Sequence, residues 1–312
     1  MKILSVVELP QDRVEDFIVE FPQLEYSYRP ADQLREADME EAEIIFGNVP
    51  ADSLDRAKNL KWIQLISAGI DDYLALTNKT FQVTTAKGFH SRPIAEHLIF
   101  SMLYFVKNYR TFFNKKNEKV WFRKPDSLGT LAGQNVAIIG MGGIGNQFIR
   151  CIQPFYVNLE VITLHPDRKH GEDLQIYGPG DLNNVLRRAD HIVLALPLTS
   201  RSRHILNKDL LLKTKEGVII YNVSRGPLID ESALIELLES GHIGGAYLDV
   251  FEEEPLSPHS KLWDMDNVII TPHIAGHYKG LREDVFNFFK ENLRRLIQKQ
   301  ELLNLANFQK GY

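Results

Sequence analysis

The sequence predicts an α/β protein of two domains, each built on a parallel sheet, and three observations carry that expectation. Short apolar runs alternate with stretches of helical period through most of the chain. The later runs are filled with Val, Ile and Leu without polar alternation, as strands covered on both faces require. At 312 residues the chain can form two sizeable cores. The expected division assigns residues 1–94 and 280–312 to one domain and residues 95–279 to the other.

In chain order, strands are expected at residues 3–7, 24–28, 43–46, 62–66 and 82–84, with a helical stretch at 51–58 ahead of the fourth. A long helix follows over residues 93–113, with Pro93 in its first turn, where the missing N–H is harmless. Its Leu98, Ile99, Phe100, Met102, Leu103, Tyr104 and Phe105 exceed what one buried face needs. A helix apolar all round is covered by another domain or subunit, so a homodimer is expected here. Strands resume at residues 135–140, 160–165, 191–196, 217–222, 245–250 and 267–271, and an amphipathic helix at 281–300 closes the pattern.

Composition narrows the function. Lys plus Arg number 36 against 41 Asp plus Glu, a net charge of −5, so no basic excess exists to neutralise nucleic-acid phosphates. The single cysteine, Cys151, cannot form an internal disulfide, which fits a reducing compartment. The first apolar run is too short for a signal peptide, and nothing approaches the roughly 18 apolar residues of a membrane span. A soluble, cytoplasmic protein with no nucleic-acid or membrane partner is the expectation.

Residues 136–145 read VAIIGMGGIG and place Gly140, Gly142 and Gly145 directly between a strand and a helical stretch. The first glycine permits the tight turn, and the second lets backbone approach a pyrophosphate. The third seats the helix close to the sheet, its N-terminus facing the anion. Gly143 and Ile144 complete this dinucleotide-binding turn. The next strand ends at His165, where an acid would hold the ribose hydroxyls of NAD, and Arg168 and Lys169 follow. A 2′-phosphate would be attracted by Arg168, whereas Asp167 in a shifted register would restore the acid. The cofactor expected is therefore NAD or NADP, inclining to NADP.

From Val218 the chain runs VIIYNVSRGPLIDESALIELLESGHIGGAYLDVFEEEPL, followed by NVIITPHIAG. With ISAGIDDY at 66–73, GFHSRPIAEH at 88–97 and LPLT at 196–199, nearly the whole chain resembles the D-isomer-specific 2-hydroxyacid dehydrogenase family. That family includes D-lactate, D-glycerate and D-3-phosphoglycerate dehydrogenases and hydroxypyruvate reductases. The resemblance implies two Rossmann- or flavodoxin-like domains, with the nucleotide domain inserted into the substrate domain and the substrate held between them. It matches Arg225 to the substrate-binding arginine, Glu254 to the catalytic glutamate and His273 to the acid/base histidine. It further matches the backbone of Ser67, Ala68 and Gly69 to a carboxylate-binding loop, and Asp249 to the residue orienting the nicotinamide carboxamide. Leu196, Pro197, Thr199, Asn222 and Val223 flank the cofactor on the same basis.

The chemistry of these side chains suits the roles. An imidazole titrating near neutrality can give a proton to a ketone or take one from a hydroxyl. A carboxylate beside it favours the protonated ring. A guanidinium can bind an α-carboxylate and polarise the adjacent carbonyl. Taken singly, Arg225 reads as a loop cation, Glu254 as one of three solvated acids and His273 as a core histidine. Together, each after a strand of one parallel sheet, they read as a site. The other histidines lack metal-ligand spacing, so no metal is expected. Two departures from the family pattern, Thr85–Ala86–Lys87 and His277–Tyr278–Lys279, leave the substrate's identity open. The rival class is a non-enzymatic NAD(H)-sensing corepressor on the same fold.

Overall fold

The computed structural model describes residues 1–76, 80–124, 126, 128–166 and 174–308. The chain forms two compact units, Met1–His90 with Tyr278–Tyr312, and Ser91–His277. The breaks fall a few residues before those expected, because the whole helix that begins at Ser91 packs within the second unit.

In the first unit, β1 (Lys2–Ser5), β2 (Glu25–Tyr28), β3 (Ile44–Phe46), β4 (Trp62–Gln64) and β5 (Gln82–Thr84) form a parallel sheet in the order β2-β1-β3-β4-β5. Helices α1 (Gln11–Glu20) and α2 (Glu36–Glu41) lie between its strands in the sequence. The stretch at 51–58 is a 3-10 helix over Ala51–Arg56 rather than an α-helix.

The second unit opens with α3 (Ser91–Val106) and α4 (Tyr109–Asn117). These replace the single helix expected over 93–113. Asn108 takes a left-handed φ of 50°, a conformation asparagine tolerates better than most residues, and the helix ends there. A seven-stranded parallel sheet follows, made of β6 (Asn135–Ile139), β7 (Asn158–Ile162), β8 (Gln175–Tyr177), β9 (His191–Leu194), β10 (Val218–Asn222), β11 (Ile243–Leu248) and β12 (Val268–Ile270). Its order is β12-β11-β10-β9-β6-β7-β8, so chain direction across the sheet reverses between β6 and β9. Helices α5 (Gly143–Ile152), α6 (Leu182–Leu186), α7 (Lys208–Leu211) and α8 (Glu231–Glu239) connect the strands. Two strands differ from expectation. β7 ends at Ile162 instead of reaching His165, and β8 is a three-residue edge strand too short to give an apolar run.

The chain then returns to the first unit through α9 (Leu281–Ile297), which completes that unit's core. Phe289 of α9 stacks on Trp62 at 5.0 Å between ring centroids, and Phe286 lies 5.5 Å from both Phe17 and Phe46. Aromatic pairs of this kind are each worth about 0.5–1.5 kcal/mol beyond their burial, so α9 is integral to the sheet that precedes it by two hundred residues. Among the described residues no helix is long and apolar enough to cross a membrane, and no group of acids, His and Cys could hold a metal ion.

His191 begins β9 with its ring buried. Nδ1 lies 2.9 Å from the Tyr221 hydroxyl, and Nε2 contacts Gln134 Oε1. Gln134 Oε1 can only accept, so Nε2 carries the hydrogen and Nδ1 accepts from Tyr221. Burial, opposed only by neighbouring Asp190, pushes the ring's pKa down from 6.5 to about 4. The unfolded chain therefore takes up a proton that the folded chain refuses. Stability present above pH 6.5 is lost as pH falls toward 4, by about 3 kcal/mol at most for this group. Urea unfolding of His191→Gln at pH 7 and pH 5 is expected to show a shallower loss than the parent; equal losses would remove His191 as a source of acid sensitivity.

Candidate active site

The site of the second unit is assembled at the carboxyl ends of its strands, where loops from parallel strands converge. After β6, Gly140 adopts φ +108°, and a Cβ there would lie 2.3 Å from the Ala195 carbonyl oxygen. A Cβ on Gly145 would lie 2.3 Å from the Gly140 carbonyl, so no side chain can separate α5 from its strand. Gly142 precedes α5 and has open space where a side chain would stand, and Gly143 and Ile144 begin the helix. This cradle, with helix N–H groups facing outward beside the β6/β9 reversal, fits a dinucleotide pyrophosphate.

The neighbouring loops are ordered by their own hydrogen bonds. After β9, Leu196 and Pro197 lead to Thr199, whose N–H donates to Ser202 Oγ at 2.7 Å. Ser202 Oγ in turn donates to the Pro197 carbonyl at 2.8 Å. His165 lies exposed, three residues beyond β7, with its N–H toward Thr163 Oγ1 at 3.3 Å. Arg168 lies outside the described residues.

After β10, the buried Asn222 shapes the turn that presents Arg225. Its Nδ2 donates to the Arg225 carbonyl at 2.9 Å and its Oδ1 accepts the Ser224 N–H at 3.2 Å. Val223 is buried beside it, and Arg225 is half-buried, with Nη1 on the Ser224 carbonyl at 2.6 Å. Gly226 follows, and here the spacing is decisive. A Cβ would lie 1.8 Å from the backbone carbonyl of Phe251, so the Arg225 turn rests directly on the loop after β11.

That loop carries Glu254. The Phe251 N–H donates to Glu254 Oε1 at 3.0 Å, and the other oxygen, Oε2, lies 2.8 Å from His273 Nδ1. Of the three consecutive acids, Glu252 instead meets His204, with 2.5 Å between His204 Nε2 and its Oε1. With Nδ1 turned to Glu254, the opposite nitrogen Nε2 of His273 is the one left for a substrate. The His273 side chain is 51% exposed and that of Glu254 36%, open enough to be reached.

His273 itself sits at φ +54°, a left-handed conformation that costs an L-residue roughly 1–2 kcal/mol. Asp249 holds it there. The Asp249 carbonyl accepts the His273 N–H at 2.8 Å. Its buried carboxylate accepts the Thr271 hydroxyl at 2.5 Å, the Ile274 N–H at 2.9 Å and the Ala275 N–H at 3.0 Å. Sequence reasoning assigned Asp249 to the cofactor and missed this loop-holding role, which depends on contacts 22 to 26 residues apart.

In the first unit, Ser67, Ala68 and Gly69 follow β4. Asn48, which sequence reasoning also missed, holds them: its Oδ1 accepts the Ile66 N–H at 2.9 Å and its Nδ2 donates to Ser67 Oγ at 3.0 Å. Ser67 Oγ then donates to the Gly69 carbonyl at 2.9 Å. The N–H groups of these three residues have no protein acceptor among the described residues, which leaves them for an anion.

The contact at Gly226 generates a test. Gly226→Ala must push the Arg225 turn away from the Glu254 loop, and displacements near 1 Å can cost roughly 100-fold in rate. A fall of that order in kcat/KM is expected, with cofactor affinity retained and circular dichroism unchanged. Full activity would show that the two loops need not touch.

The chain is similar to known proteins over most of its length. The NAD binding domain of D-isomer specific 2-hydroxyacid dehydrogenases matches residues 99–275. D-3-phosphoglycerate dehydrogenase of Methanocaldococcus jannaschii is 32% identical over 261 residues, covering 83% of this chain and 50% of that protein. The chain thus spans about half the length of that relative. Hydroxypyruvate reductase of Thermotoga maritima is 35% identical over 231 residues, covering 73% of this chain and 74% of that one. A D-isomer specific 2-hydroxyacid dehydrogenase from Xanthobacter autotrophicus Py2, crystallised with NADPH and MES, superposes with a TM-score of 0.84 at 29% identity, covering 100% of this chain and 99% of that one. The matched segment holds the glycine turn, Arg225, Glu254 and His273 together, and the chain belongs to the D-isomer-specific 2-hydroxyacid dehydrogenase family.

Proposed function

We propose that this protein reduces a small 2-keto acid to the D-2-hydroxy acid with NADH or NADPH. The observation that carries the reading is the 2.8 Å contact of His273 with Glu254, beside the turn that bears Arg225. In that role His273 Nδ1–H stays on Glu254, whose negative charge stabilises the imidazolium, and Nε2 delivers the proton to the carbonyl oxygen. Arg225 binds the α-carboxylate and polarises the carbonyl. By family resemblance, the backbone N–H groups of Ser67, Ala68 and Gly69 would bind a carboxylate. When bound, the dinucleotide supplies the hydride.

Gly140, Gly142, Gly143, Ile144 and Gly145 would hold its pyrophosphate, and Leu196, Pro197, Thr199, Asn222 and Val223 would flank it. Among the described residues Asp249 Oδ2 accepts the Ala275 N–H alone, which leaves capacity for the nicotinamide carboxamide. NADPH is the preferred form in this reading, since His165, three residues beyond β7, stands where an acid would repel a 2′-phosphate. The relative from X. autotrophicus bound NADPH. A homodimer is proposed from the exposed Phe100, Tyr109, Phe113 and Trp121 on and after α3 and α4, apolar side chains that a partner subunit would cover. The cytoplasm is the proposed location, consistent with the single cysteine.

The test is a steady-state assay with NADH and NADPH across glyoxylate, hydroxypyruvate, pyruvate and branched 2-keto acids. Turnover is expected with at least one small keto acid, with a modest preference for NADPH. His273→Ala should lose roughly 10²–10⁴-fold in kcat with cofactor Kd unchanged. Tight cofactor binding without turnover of any substrate would contradict the reading.

A further inference from the structure

His97, the last residue of GFHSRPIAEH, lies on α3 and takes no part in the site described above. Its ring stacks on Tyr247 of β11, with planes 4° apart and centroids 6.3 Å apart. Tyr247 is buried, and its hydroxyl lies 3.1 Å from His97 Nδ1 and 3.0 Å from Thr271 Oγ1. Thr271 Oγ1 lies 2.5 Å from Asp249 Oδ1.

The direction of this chain follows from proton counting. Both carboxylate oxygens of Asp249 accept backbone N–H groups, so Thr271 must be the donor to Oδ1. A hydroxyl has one proton, and Thr271 Oγ1 can then only accept from Tyr247. Tyr247 has likewise given its proton, so its oxygen must accept from His97, and the hydrogen of the neutral ring sits on Nδ1. Burial pushes the Tyr247 hydroxyl up to about 12, which keeps that proton in place.

We infer that His97 and Tyr247 are positioning residues, joined through Thr271 in a one-way chain of donors that fixes the Asp249 carboxylate under the His273 loop. The loop folds around that carboxylate, so its orientation reaches the imidazole through the Ile274 and Ala275 N–H groups. Successive hydrogen bonds of one polarity strengthen one another in a buried setting. Removing the Tyr247 hydroxyl removes the acceptor for His97 and the donor to Thr271 together, while a phenylalanine ring keeps the packing.

The consequence for turnover rests on the proposed function; the direction of the chain does not. Two measurements on the full-length protein separate them. In ¹⁵N spectra of histidine-labelled protein, with the His97 signals identified from their loss in His97→Gln, Nδ1 is expected to carry the hydrogen. In Thr271→Val, Tyr247 keeps His97 as its one acceptor among the described residues, and the hydrogen is expected to move to Nε2. A wild-type ring protonated on Nε2, or a tautomer unmoved in Thr271→Val, would overturn the chain. In kinetics, Tyr247→Phe is expected to lose about tenfold in kcat with KM for keto acid and cofactor within about twofold, the pattern of a lost contribution to the reacting geometry. An unchanged kcat in an active enzyme would overturn the positioning role. A wild type that turns over no keto acid defeats the functional reading instead, and the tautomer then decides the chain.

Discussion

The contact between His273 Nδ1 and Glu254 Oε2, 2.8 Å long, is what the rest of the second unit serves. It contributes little to folding. Both side chains are exposed by a third or more, and ion pairs so placed are worth about 0–1 kcal/mol. The pair is made because the backbone leaves the two groups nowhere else to go. Glu254 is aimed by the Phe251 N–H on its other oxygen, and His273 is held in a left-handed turn by Asp249. Stability is supplied by the buried strands and used at their ends.

Parallel topology explains why a few short loops suffice. The exits of β6, β9, β10, β11 and β12 lie on one edge of the sheet, so residues more than a hundred positions apart in sequence share a surface. Close approach of those loops requires glycine. Gly140 admits the β9 loop, Gly145 admits α5 and Gly226 admits the β11 loop, each at a distance a methyl group could not occupy. Gly140 and Gly145 make the turn a phosphate cradle, and Gly226 brings the arginine turn against the loop of the acid.

Much of this was legible in the sequence, and the reasons are specific. The parallel strands were visible as continuous apolar runs, and the glycine turn as a spacing between a strand and a helix. Arg225, Glu254 and His273 were identified through resemblance, because Glu254 stands in a run of three acids that spacing alone cannot separate. The structure distinguishes them, since Glu252 meets His204 and Glu254 meets His273. The loop-holding work of Asp249 and the role of Asn48 were missed because they lie in contacts distant in sequence. The helix break at Asn108 turns on one left-handed residue, and β8 is three residues long, so neither left a periodic trace. Arg168 lies outside the described residues, and the cofactor reading rests on His165.

The central claim is that Glu254 serves turnover through its 2.8 Å contact with His273 Nδ1. The direct measurement is steady-state keto-acid reduction by Glu254→Gln against the parent. The amide keeps the size of the side chain and can still accept a hydrogen bond, but it brings no charge to the histidine that handles the proton, a group whose acid/base work is worth roughly 10²–10⁴-fold. A fall in kcat of about tenfold or more is expected, with cofactor Kd unchanged. A kcat equal to the parent's would contradict the account.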